Sequence, residues 1–124
     1  MPDRLQAALR IALKQRDIAA VSALRSALAA IGNAEALPAA ATHGGGGDQY
    51  VAGSIAGLGA AEASRRVLTD AEITGIVSTE ICERRAAAAR YEQAGHADRA
   101  DRLRREADAL AAVVSGNPDG ATGA

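Results

Sequence analysis

Alanine outnumbers leucine, isoleucine and valine combined in this chain: 33 residues against 23, with two tyrosines and no phenylalanine or tryptophan. That ratio restricts the fold more than any motif does. A methyl side chain buries little apolar area, at about 25 cal/mol per Å², so a thick aromatic core is ruled out. Alanine is also the residue most easily placed in a helix. The chain is therefore expected to be all-α, with close helix contacts and a modest core. Its 124 residues suit one domain.

The same inventory excludes other classes. One cysteine, Cys82, makes neither an internal disulfide nor a four-thiolate zinc site. No run of 18 uncharged apolar residues occurs, so no membrane span is expected. The start MPDRLQAALRIALKQRD lacks the continuous apolar stretch of an export signal, which makes the cytoplasm the expected compartment. A net charge of −1 exerts no global pull toward nucleic acid.

Apolar spacing predicts four main helices, near 3–15, 18–34, 70–94 and 97–114, arranged as two helical hairpins. In the first, Leu5, Leu9, Ala12 and Leu13 share a face, and Pro2 and Asp3 suit a helix start. Asp17 is an N-cap candidate or a break, leaving open a hairpin or one bent helix. The second helix carries Ile18, Val21, Leu24, Leu28 and Ile31. The third opens on a capping box, Thr69 with Glu72, flanked by Leu68 and Ile73 as a hydrophobic staple. Its stripe runs Ile73, Ile76 or Val77, Ile81, the Arg84 stem, Ala88 and Tyr91. Gly75 is expected to permit a close crossing, and Gly95 to end the helix in a left-handed cap. The fourth presents Ala100, Leu103, Ala107, Leu110 and Val114, with Asp101–Arg105 and Arg104–Asp108 as i,i+4 pairs. Between the hairpins, residues 36–61 hold Pro38 and the run Gly44 to Gly47 and read as a flexible linker, with a short helix near 60–67. Residues 116–124 read as a disordered tail.

Chemistry is sparse. His43 and His96 do not make a metal site, which needs three or four convergent ligands, and no metal or cofactor is expected. GGGGD lacks the lysine and the preceding strand of a phosphate loop. Cys82 is expected to be a small, buried or half-buried residue of the third helix. Glu80, Glu83, Asp98, Asp101, Glu106 and Asp108 alternate with arginines at helical spacing, the pattern of solvated ion pairs. One region has basic excess: Arg10, Lys14, Arg16 and Arg25 on the first two helices. It suits phosphate contact, although no aromatic residue interleaves to stack bases.

The stretch LTDAEITGIVSTEICERRAAAARYEQAGHADRADRLRREADAL resembles the hairpin of the YqeY-like proteins of the GatB/YqeY group. The resemblance is carried by Leu68, Thr69, Asp70 and Glu72, by Arg84, by Tyr91, Glu92, Ala94 and Gly95, and by Asp98 and Glu106. Upstream, Leu24, Arg25, Ala30, Asn33 and Glu35 are similar to the family's second-helix motif. His96 and Arg99 depart from the arginine and leucine usual at those positions. The resemblance implies that residues 1–115 form one N-terminal YqeY-like helical domain, without the family's C-terminal module akin to the tail of the GatB subunit. It also implies association with tRNA-dependent amidotransferase or translation. The expected function is a non-catalytic accessory or interaction domain that binds a protein partner or a second copy of itself. The alternatives are a tRNA-binding module acting through the basic first hairpin, and a small enzyme built on a pocket holding Arg84 beside an acidic residue.

Overall fold

The computed structural model describes residues 1–36 and 66–116. It is all-α, with α1 at Pro2–Gln15, α2 at Ile18–Ala36, α3 at Asp70–Gln93 and α4 at Ala97–Val114. The expected linker beyond Ala36, His43, the glycine run and the tail from 117 onward lie outside the described residues, as do residues 60–65 of the expected short helix; residues 66 and 67 are not helical.

Local chemistry accounts for each turn. α1 ends where Arg16 takes a left-handed backbone, φ +57°, and the N–H groups of Arg16 and Asp17 return to the carbonyls of Leu13 and Ala12. Asp17 then caps α2, its Oδ1 accepting from the Ala20 N–H at 3.1 Å. The two helices are thus a hairpin and not one bent rod. α3 opens on the capping box: Thr69 Oγ1 accepts from the Glu72 N–H at 3.0 Å, and Glu72 Oε1 accepts from the Thr69 N–H at 2.8 Å. It closes with Gly95 at φ +88°, where the N–H groups of Gly95 and His96 donate to the carbonyls of Glu92 and Tyr91.

Three contacts order the helices end to end. The Met1 ammonium lies 3.4 Å from Asp70, Arg4 donates to the Val113 carbonyl, and the Arg66 N–H donates to the Glu35 carbonyl at 2.9 Å. The starts of α1 and α3 and the ends of α2 and α4 therefore share one end of the molecule. The topology is an up-down-up-down bundle. Chain positions 36 and 66 meet at that base.

The core is built from small side chains. Ala23, Ala27 and Ala107 are fully buried beside Leu5, Leu24, Val77, Leu110 and Val113. Several expected faces shift. Ala8 and Ala12 are buried while Leu13 is 46% exposed, and Ala19 and Ala20 are buried while Ile18 is 69% exposed. The cause is interhelical distance: where backbones approach closely, alanine fits the seam and larger side chains move to its flank. Val113, three residues after Leu110, completes the α4 face in place of the expected Val114, which is only partly buried. α2 runs two residues past its expected end, to Ala36. Gly75 faces solvent, and a Cβ there would meet nothing within 4 Å, so it serves no helix crossing. Cys82 is exposed, because position 82 turns away from the Ile81 face.

Candidate functional site

The buried charge of the molecule converges on Arg84. Four residues below it on α3 is Glu80, and across the hairpin on α4 is Glu106, the only buried charged residue among those described. Arg84 Nη1 donates to Glu80 Oε1 at 2.7 Å and Nε donates to Glu106 Oε1 at 3.0 Å. Arg102 Nε reaches the other oxygen of Glu106 at 3.1 Å, and Ser26 Oγ of α2 donates to Glu80 at 3.0 Å. The ladder runs Ser26–Glu80–Arg84–Glu106–Arg102 and ties three helices together.

Its chemistry is closed. Two carboxylates face two guanidiniums, so the formal charges cancel. Burial works against the Arg84 charge, but the bonds to Glu80 and Glu106 outweigh it and hold the guanidinium above its ordinary value. Every carboxylate is engaged by a permanent cation. A general acid or base needs a group free to exchange its proton in a cleft, and this ladder offers none. Among the described residues, no three of His, Cys, Asp and Glu converge as metal ligands.

Several of the remaining acidic and basic groups of α3 and α4 pair at the surface, though not as the spacing predicts. Asp101–Arg105 and Arg104–Asp108 do not form. Arg104 instead bridges Asp101 and Glu92, and Arg85 takes Asp108 at 3.5 Å. The Glu92 bond raises Arg104 above its ordinary value. Cross-hairpin partners win because the antiparallel partner brings a carboxylate to the arginine's flank. Glu106 likewise is not a solvated pair member but a buried one.

At the far end of the α3–α4 hairpin, Tyr91, Gly95, His96, Asp98 and Arg99 surround an open concavity. The Arg99 guanidinium lies 5.1 Å from the Tyr91 ring centre, and the His96 ring meets Tyr91 edge-on at 6.1 Å. These contacts brace the turn. The other family-motif positions scatter. Arg25 and Asn33 are exposed on α2, and Glu35 offers its backbone carbonyl to Arg66. Asp70 is exposed beside Met1, and Thr69 and Glu72 serve the cap. Arg10, Lys14, Arg16 and Arg25 are all exposed, and none has an acidic group within ion-pair distance among the described residues. Ser26 and Arg102 belong to the ladder but not to the expected set. Arg102–Glu106 is legible at i,i+4, whereas Ser26 carries no sequence signal.

No helix among the described residues is long and apolar enough to cross a membrane. Comparison with protein families, curated proteins and solved structures gives no match for the chain.

Proposed function

We propose that this chain is a non-catalytic helical interaction domain of the YqeY-like kind, serving tRNA-dependent amidation or translation as an accessory. The observation that carries this reading is the saturated ladder around Arg84. The residues that the family resemblance singles out at the bundle centre, Arg84 and Glu106, are bonded to each other and to Glu80 and Arg102. They act as a clasp between helices, which leaves the exposed surface as the part that meets other molecules. The test is affinity capture on the tagged, folded chain from its native cytosol, with retained protein and RNA both identified. Amidotransferase subunits or translation components are expected. Retention of neither at low salt overturns the reading.

A second reading, tRNA contact through the first hairpin, is favoured by Arg10, Lys14, Arg16 and Arg25, four cations that no acidic group among the described residues pairs. It requires binding that weakens steeply with salt and further when these residues become glutamine. Salt-insensitive or absent binding of purified tRNA removes it.

A further inference from the structure

We propose that the outward face of the α1–α2 hairpin docks an acidic amphipathic helix of a partner protein. The proposal rests on the interaction-domain reading and gives it a surface and a ligand chemistry.

Two sides of the hairpin differ. On one, a groove between α1 and α4 is lined by Ala8, Ile11, Ala12, Ala20 and Leu24, with Arg105 and Asp108 at its rim. Residues two apart on a helix point some 200° from each other. Leu9 and Leu13 therefore lie on the flank of α1 opposite Ile11, and Ile18 lies on the side of α2 opposite Ala20. Leu13 and Ile18 are two of the three large apolar side chains left exposed among the described residues, and they sit five positions apart around one turn. Leu9, Val21 and Leu28 reach the same surface half-buried, their inner atoms on the core. The result is an apolar strip along the hairpin.

Cations border the strip. Arg10 and Lys14 stand one turn apart on α1, Arg16 occupies the turn, and Arg25 lies two turns along α2 from Ile18. No acidic group of the described residues pairs with any of them. Asp17, the one carboxylate at this turn, is engaged in capping Ala20. The other hairpin contrasts on both counts, since most of its arginines are paired and its turn carries glycine at the left-handed position. At Arg16 the chain places a cation where a glycine costs less. Local conformation gains nothing from that choice, and an external anion does.

Apolar strip and basic border together select the occupant. Nucleic acid would use the cations, but it has no use for Leu13 and Ile18, and no aromatic residue here stacks a base. A bilayer surface favours a broad apolar face with aromatic residues at its edge, which this strip lacks. A second copy would set the same cations against each other. A helix with leucines at i, i+3, i+4 and i+7 and glutamates on both flanks matches both features.

The probe is a synthetic peptide of that pattern, labelled and titrated with the full chain by fluorescence anisotropy. Its controls are a scrambled peptide of the same composition, purified tRNA, and phosphatidylserine–phosphatidylcholine vesicles. We expect saturable binding of the patterned peptide, at least tenfold tighter than the scrambled one. Leu13→Asp with Ile18→Asp should weaken it tenfold or more while the helical circular dichroism stays unchanged, since both side chains are exposed. Arg10→Gln with Lys14→Gln should weaken it and flatten its salt dependence. No binding by the unaltered chain overturns the proposal. So does equal affinity for the scrambled peptide, or tRNA or vesicle binding that depends on Leu13 and Ile18. Self-association abolished by Ile18→Asp does the same. Should these variants disturb the helices, Ile18→Ser serves in their place, and binding that survives it overturns the proposal. If the peptide fails but amidotransferase subunits are still captured, only the surface assignment falls. Peptide binding without such capture leaves the surface and removes the amidation link.

Discussion

Arg16 and Gly95 occupy equivalent places, each in the left-handed region just beyond a helix that closes a hairpin. An L side chain there crowds its own backbone, at roughly 1 kcal/mol. Arg16→Gly should therefore raise stability by about 0.5–1 kcal/mol in urea unfolding, and Gly95→Ala should lower it by about 1 kcal/mol. A Cβ at Gly95 meets nothing within 4 Å, so its cost is purely conformational. Gly75→Ala reverses the sign: mid-helix, exposed and unobstructed, it should gain about 0.5–1 kcal/mol. The capping box yields a pH effect. The Thr69 N–H bond, helped by nearby Arg66, holds the Glu72 carboxyl below its ordinary value. A depressed folded value means that the stabilisation is complete above the unfolded value and is lost as pH falls through the folded one. NMR titration should place the Glu72 midpoint below those of exposed glutamates. Thr69→Ala should raise it and cost about 1 kcal/mol of stability through the lost cap.

At the level of helices, the Arg84 ladder joins α2, α3 and α4 by side chains only partly shielded from water. Removing one member strands a carboxylate, whereas removing an oppositely charged pair does not. Arg84→Met should destabilise by about 2–3 kcal/mol, under the full cost of a wholly buried pair because Arg102 still holds Glu106. Adding Glu80→Met, which removes the carboxylate that Arg84→Met leaves without a cation, should recover most of that loss in the same unfolding measurement. If the double variant is no better than the single one, the ladder is not an electrostatic clasp. Much of it was readable beforehand. Glu80 and Arg84, like Arg102 and Glu106, sit at i,i+4, and Arg84 was expected to face inward by its stem. Pairing across the hairpin was not readable, because helical spacing constrains only partners on one helix.

The whole molecule closes at its base, where the Arg66 N–H bonds the Glu35 carbonyl. The described residues on either side of 37–65 thus meet at one point. Replacing residues 37–65 with about four glycine and serine residues should preserve the helical spectrum and raise stability by about 1–2 kcal/mol, since the loop-closure cost falls by about 0.6 kcal/mol for each halving of length. Loss of cooperative unfolding in that variant would show that the bundle depends on the segment. Close helix approach is tested by Ala107→Leu, where the side chain is wholly buried. Overpacking of the seam should cost about 1–3 kcal/mol.

What the amino-acid sequence determined by itself was local. The four helices, the capping box at Thr69 and Glu72 and the glycine stop at Gly95 each depend on residues within one or two turns of one another. Tertiary structure alone decided which flank of each helix is covered. Periodicity placed Leu13 and Ile18 with the core, and the close approach of neighbouring backbones gave those seams to Ala8, Ala19 and Ala20 instead. Burial is a property of the distance between helices. A sequence specifies that distance only through the sum of its contacts, so the exposed strip beside the four cations became visible only once the helices were packed.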